Sequence, residues 1–344
     1  MANHHVLVVG AGSVGKRHLR NLSMLGCRVS AIDPRADRLE EAAGEVQLEG
    51  RFTNFEEALR PAEGYTGAVV ASPPKHHIPQ CIALAGEGMP ILLEKPVARS
   101  LREAVELDEA LKKGRRANLL LGYSYRWWPP LNEFRSRIRS GEIGRPLHAR
   151  FVMSAHLADW HPWERYQDFF MASRDLGGGA LLDESHFIDL MISFFGIPKA
   201  VFAVVEHISG LDIDTDDNVD LTAFYENGPR VTLHLDLFGR PHEKYISVTG
   251  ETGTLVWSFE PNRIRLGRAM EQVWTDAEFH HERNDMFVET AREFLEMVEG
   301  RGTVRCSLRD GIDVLRVVEA CRESAAHGRV VPVGAGNRQG GRTG

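Results

Sequence analysis

The sequence predicts an α/β protein: a doubly wound parallel sheet in the N-terminal part, then an α+β domain with a large, open, mainly antiparallel sheet. Three observations predict it. Up to Gly122, short and continuously apolar strands alternate with helical stretches, as strands buried on both faces of a parallel sheet do. A glycine-rich turn, Gly10-Ala11-Gly12-Ser13-Val14-Gly15, joins the first strand to the first helix. After Gly122 the periodicity drops to two, with Val231, Leu233, Leu235 and Leu237 on one side and Thr232, His234 and Asp236 on the other. That alternation marks an antiparallel sheet covered on one face only.

Taken in order, residues 6–9 read as a strand, 14–25 as a helix, 28–32 as a strand and 35–43 as a helix. A short helix follows at 55–59, then strand 67–71, helix 77–86, strand 90–94, helix 101–112 and strand 117–122. In the second part, 131–140 and 180–195 read as helices. Strands are expected at 147–156, 200–208, 219–225, 230–238, 245–250 and 254–259, and late helices at 284–299 and 308–326. The domains are therefore expected at 1–122 and 123–333, with a Gly- and Arg-rich tail at 334–344 that reads as disordered.

Composition narrows the function classes. At 344 residues the chain is long for one core and comfortable for two. With 43% apolar and 26% charged residues it reads as an ordinary globular protein. A net charge of −7 argues against a sequence-independent nucleic-acid binder, which carries a positive excess. No apolar run approaches the roughly 18 residues of a membrane span, and the first residues lack a basic signal-peptide region. A cytoplasmic protein with neither a nucleic-acid nor a membrane partner is expected. Cys27, Cys81, Cys306 and Cys321 form no C-x-x-C pair and read as buried thiols. Adjacent histidines such as His76-His77 point in different directions and chelate poorly, so no metal site is expected. The acidic run Asp212–Asp220 lacks the glycine and closing glutamate of a calcium loop and reads as a solvated turn.

The glycine loop is the first functional signal. It follows four apolar strand residues and opens a helix, which is the setting of a dinucleotide-binding, Rossmann-type unit. Gly10 permits the tight turn, Gly12 lets the backbone approach a pyrophosphate, and Gly15 lets helix and strand pack closely. Ser13 and Val14 begin the helix whose amides face the phosphates. Asp33 ends the second strand, 21 positions after Gly12. A carboxylate there accepts hydrogen bonds from both ribose hydroxyls and repels a 2′-phosphate, favouring NAD. Arg35 and Arg38 leave NADP open.

Glu94-Lys95-Pro96 closes the fifth strand at the carboxyl edge of the sheet, where open α/β sheets bind ligands. Together with the glycine loop it resembles the glucose–fructose oxidoreductase, inositol dehydrogenase and MocA (Gfo/Idh/MocA) family. The resemblance runs over nearly the whole chain. It takes in Arg17-His18, Ala71-Ser72-Pro73-Pro74 with His77, Gly122-Tyr123 with Arg126, and Gly141-Glu142-Ile143-Gly144. It continues through Gly177-Gly178-Gly179, Asp183, His186 and Asp189 to Gly250-Glu251 and Gly253-Thr254. The resemblance implies an enzyme that oxidises or reduces a secondary alcohol of a sugar, cyclitol or nucleotide sugar. It also implies a homodimer or homotetramer built through the open sheet. Carried over the same motifs, Ser72, Pro73, His77, Glu94 and Lys95 join the cofactor-binding set. Lys95 helps to hold substrate and cofactor, and His186 exchanges the proton.

The residue chemistry agrees with those roles. Neutral imidazole is available near pH 7 to take the hydroxyl proton, and a lysine stabilises a developing alkoxide. The commonest family pattern has four steps from Asp to His. Here Asp183 to His186 has three, a shift of about 100° on a helix. His186 and Lys95 are therefore more direct candidates than Asp183. Within the family it resembles, members of sialic-acid and other nucleotide-sugar pathways have this shorter spacing after a similar Gly-Gly-Gly run, so the resemblance implies a substrate among modified or nucleotide-linked sugars. The three glycines are expected to free the helix N-terminus for a ligand. Arg126 and the loop containing Trp160, Trp163, Arg165 and Tyr166 are candidate substrate contacts, by guanidinium bonding and ring stacking. Two other classes stay open: an NAD-dependent glycoside hydrolase of the same family, and a non-catalytic dinucleotide-binding sensor.

Overall fold

The computed structural model describes residues 4–60, 64–113, 118–160, 162, 164–268, 270 and 273–334. These fall into two compact units. One draws on residues 1–133, 173–178 and 280–311, the other on residues 134–172, 179–279 and 312–344.

The first unit opens with β1 (His5–Val9), α1 (Ser13–Met24), β2 (Arg28–Ile32), α2 (Ala36–Glu45), β3 (Arg51–Phe52) and α3 (Phe55–Ala58). It goes on with β4 (Gly67–Val70), α4 (His77–Gly86), β5 (Ile91–Leu93), α5 (Leu101–Lys113) and β6 (Leu119–Leu121). The strands form one sheet in the order β3-β2-β1-β4-β5-β6, every pair parallel. All five residues of β1 are buried, as continuous apolar runs require when helices cover both faces. Each fully buried leucine or valine there contributes roughly 1.5–3 kcal/mol of burial. Strand order reverses between β1 and β4, so the carboxyl ends of these two strands form the switch point at which such sheets bind ligands.

Next comes α6 (Pro129–Arg139). The second unit holds β7 (Pro146–Ser154), α7 (Ala180–Asp183), α8 (His186–Phe195), β8 (Ala200–Glu206), β9 (Asn218–Phe224), β10 (Arg230–Asp236) and β11 (Glu243–Gly250). It continues with β12 (Gly253–Ser258), β13 (Arg263–Arg268) and β14 (Trp274–Glu278). Then α9 (Asp285–Val298) returns to the first unit, and α10 (Leu308–His327) and β15 (Val331–Pro332) end the described chain. The second sheet runs β14-β13-β12-β11-β7-β10-β9-β8-β15. Its pairs are antiparallel apart from β10 on β7. One face carries the buried Val219, Leu221, Ala223, Val231, Leu233 and Leu235. The other shows Phe202 and Trp274, 37% and 42% exposed.

α9 belongs with the nucleotide-type sheet although it comes late in the chain. The Asn284 side-chain amide donates to Asn21 Oδ1 on α1 (2.9 Å), and Arg17 lies over the Phe287 ring at 4.4 Å. A Cβ on Gly67 would come within 2.9 Å of Phe294.

Four expectations need correction. The helix expected over 180–195 is broken: α7 ends at Asp183 and α8 starts at His186. Ser185 Oγ donates to the Leu182 carbonyl (2.6 Å), diverting the backbone ladder at the junction, so the 100° rule does not relate Asp183 to His186. The acidic run is not merely solvated. Asp216 Oδ2 accepts the Leu181 amide (2.8 Å) and the Asp216 carbonyl accepts Ala180 N–H (2.9 Å). Asp217 is wholly buried and accepts from Ile208 N–H and Ser209 N–H. The glycines do not clear the N-terminus of α7. Gly179 (φ +102°) lies where a Cβ would meet Asp216 Oδ1 at 2.4 Å. Finally, β13 and β14 extend the sheet beyond the expected strands. The tail lies outside the described residues from 335 on. All four cysteines are buried. Among the described residues no helix is long and apolar enough to cross a membrane.

Candidate functional site

At the switch point the backbone is arranged as a phosphate cradle. Gly10 has φ +94°, and a Cβ there would sit 2.8 Å from the Ala71 carbonyl carbon and from Ser72 N. A Cβ on Gly15 would meet the Gly10 carbonyl oxygen at 1.8 Å. Both positions are closed to side chains by the packing of loop, helix and sheet. Gly12 differs: the nearest atom to its Cβ position is Arg38 Nη1 at 3.8 Å, so its open side admits a ligand. α1 has no side-chain cap and no acidic residue in its first turn. The amides of Ser13 and Val14 therefore lie at a positive helix end suited to an anion.

Asp33 sits beside this loop and is 3% exposed. Its Oδ2 accepts Ala11 N–H (2.8 Å) and its Oδ1 accepts Arg35 N–H (2.9 Å). Two acceptor sites are used, and a carboxylate offers about four. Arg38 Nη1 stands 3.9 Å from Oδ2. The loop, the helix end and this carboxylate together fit the pyrophosphate and ribose of NAD.

The remaining cofactor candidates sort themselves by burial. Ser72 Oγ donates to Gln80 Oε1 (2.6 Å), and Pro73 precedes a short turn, residues 74–76, that leads into α4. His77 is fully buried. Burial holds its pKa below the usual imidazole value, against the pull of the Ser72, Pro96 and Val97 carbonyls and of Glu94. Glu94 is turned inwards to His18, with Oε1 2.6 Å from Nε2. Lys95 follows β5 at the carboxyl edge and is only partly buried.

Arg126 is placed as a brace. Its Nη1 donates to the Arg305 carbonyl (3.0 Å) and its Nη2 to Asp310 Oδ1 (3.2 Å), with the side chain 9% exposed. Burial alone would push Asp310 up, but Arg126 and Ser307 hold it below the usual carboxylate range.

In the second unit Asp183 ends α7 and is 2% exposed, while His186 opens α8 and is half-buried. Asp189 is wholly buried one turn further along. Tyr166 Oη accepts Asp212 N–H (3.2 Å), Arg165 is exposed, and Trp163 lies outside the described residues. Sequence reasoning missed His18 as part of this framework. Its signal was present in the Arg17-His18 match three positions after Gly15, but its partner Glu94 lies 76 positions away.

A parallel sheet with a glycine-lined cradle at its switch point in one unit, and a mainly antiparallel sheet in the other, define a two-unit α/β protein of dinucleotide-binding type. Residues 4–123 match the model described as the oxidoreductase family, NAD-binding Rossmann fold. Residues 135–333 match that described as the oxidoreductase family, C-terminal alpha/beta domain. The chain belongs to this Gfo/Idh/MocA family and binds NAD through its first unit. It is 31% identical over 146 residues to an inositol 2-dehydrogenase of Corynebacterium glutamicum. That match spans 42% of this chain and 43% of the relative, less than half its length. It is 26% identical over 339 residues to inositol 2-dehydrogenase 2 of Saccharopolyspora erythraea, covering 95% of this chain and 94% of the relative. A levoglucosan dehydrogenase in complex with NADH has the same fold, with a TM-score of 0.85 at 20% identity, over 96% of this chain and 99% of that one.

Proposed function

We propose that the protein is an NAD-dependent dehydrogenase that oxidises a secondary alcohol of a sugar, a cyclitol or a nucleotide-linked sugar, or reduces the matching ketone. The observation that carries the proposal is the pairing of a phosphate cradle guarded by Asp33 with a lysine at the carboxyl edge of the same sheet. NAD, when bound, supplies the hydride acceptor at its nicotinamide ring. The chain's own residues do the rest. Gly12, Ser13 and Val14 hold the pyrophosphate, and Asp33 accepts from the ribose. The Lys95 ammonium donates to the carbinol oxygen and stabilises the charge that develops there. His186 takes the hydroxyl proton on a ring nitrogen and returns it in the reverse direction. Asp183, Arg165, Tyr166 and Trp163 are proposed as substrate-side residues. The open sheet face is proposed to bind a second copy of the chain, giving a homodimer or homotetramer.

Incubation with NAD and a panel of cyclitols, aldoses and nucleotide sugars should raise NADH absorbance for at least one class. Lys95→Ala and His186→Ala should each lower turnover about 10²-fold or more, the scale of a lost general acid–base or charge-stabilising group. Full turnover in both variants would remove the assigned roles.

A further inference from the structure

The chain on either side of Lys95 is gripped by a buried histidine. On the N-terminal side His18, from α1, places Nε2 2.6 Å from Glu94 Oε1. The His18 side chain is wholly buried and that of Glu94 is 10% exposed. The Glu94 carboxyl lies over Gly122, where a Cβ would come within 3.0 Å of Cδ, so the end of β6 leaves the space it occupies. On the C-terminal side His77, from α4, places Nδ1 2.8 Å from the Pro96 carbonyl oxygen and Nε2 2.8 Å from the Ser72 carbonyl oxygen. A neutral imidazole donates from one nitrogen only. Whichever one carries the proton, the ring fills the gap between the Ser72 turn and the Lys95-Pro96 step. Burying two imidazoles is costly unless each holds a specific partner, and the partners held here are the two chain neighbours of Lys95.

We propose that His18 and His77 are positioning residues for Lys95, His18 acting through Glu94 and His77 through Pro96. They tie the lysine to the helix that opens at the glycine loop and to the Ser72 turn. A lysine side chain is a point charge on a flexible four-carbon stem, so its reach is set by how firmly its backbone is fixed. Small misplacements of a reacting group are expensive in rate. This inference rests on the reading that Lys95 acts on bound ligands, and its test separates the two.

In protein whose lysines carry ¹³C-methyl groups, the Lys95 resonance is identified by its loss in Lys95→Arg. In His18→Leu and in His77→Leu that resonance shifts or broadens while those of distant lysines stay in place. His18→Gln, which keeps a donor for Glu94, restores it. With NAD and the best alcohol of the panel, kcat falls about 10- to 100-fold in His18→Leu and His77→Leu. In a Lys95→Ala background the same substitutions cost nothing further. A Lys95 resonance unmoved in folded His18→Leu and His77→Leu overturns the proposal. So do kcat losses as large with Lys95→Ala as without it. Full turnover in Lys95→Ala alone would instead remove the role of the lysine, and the resonance would still decide whether the histidines position it.

Discussion

Asp33 has two functions at one carboxylate. It holds the glycine loop through Ala11 N–H and Arg35 N–H, and it keeps acceptor capacity for a ribose. Asp33→Ala should weaken NAD about tenfold or more, the scale of the roughly 1.5–3 kcal/mol of a hydrogen bond to a charged group. With Arg38 beside it, Asp33→Ser should narrow the preference for NAD over NADP. Steady-state kcat/KM with both nucleotides checks this, and an unchanged ratio would confine Asp33 to support of the loop. His234 offers a separate test by pH. The hydrogen bond to Asp236 above all, opposed by burial and aided by Asp220, raises it to about 9. The folded value lies above the unfolded value of about 6.5. The charged ring therefore stabilises the fold fully below about pH 6.5, and its contribution fades as pH rises through about 9. With the ring 34% exposed, solvent screening keeps that contribution small. Melting curves of wild type and His234→Gln should differ at about pH 7 and converge by about pH 10; an equal gap at both contradicts the assignment. The glycine loop and Asp33 were legible because each needs a particular residue type at the end of a strand, whereas residue type alone left Lys95 between a surface ion pair and a site lysine, and its proposed role came from the family resemblance. The inward turns of Glu94, His77 and Arg126 were not, because partners 76, 19 and 179 positions distant decide them.

Among the elements, α7 shows how a loop read as solvent-facing becomes part of the framework. Asp216 caps this four-residue helix from the acidic run and occupies the space that Gly179 leaves. Asp216→Ala should cost about 1 kcal/mol, the usual loss for an N-terminal cap, measured by denaturant unfolding. Gly179→Ala should cost more, because its φ of +102° and the 2.4 Å approach to Asp216 Oδ1 act together. Equal stability of wild type and both variants would contradict this account of the α7 junction. Periodicity located the parallel strands and the long sheet strands, since burial on two faces or one leaves a direct trace in the chain. It joined α7 to α8 because both are apolar, and nothing in the pattern marks the Ser185 bond to Leu182 that separates them. It passed over β13, where arginines alternate with apolar residues and pair across to Asp276 on β14.

For the whole molecule, one face of the second sheet carries Phe202 and Trp274, 37% and 42% exposed among the described residues. Light scattering should show an oligomer, and Phe202→Glu should shift the mass towards the monomer; a monomeric wild type would contradict assembly through this face. The two-sheet architecture followed from the change of period after Gly122. The late return of α9 to the first unit did not, since its amphipathic pattern serves either sheet equally well. The proposed reaction is direct hydride transfer to NAD. Oxidation of an alcohol carrying deuterium on its carbinol carbon should place that deuterium on C4 of the nicotinamide, one per NADH formed, as read by mass spectrometry. Turnover that leaves the nucleotide unlabelled, or that releases a sugar from a glycoside with no net NADH, would contradict it.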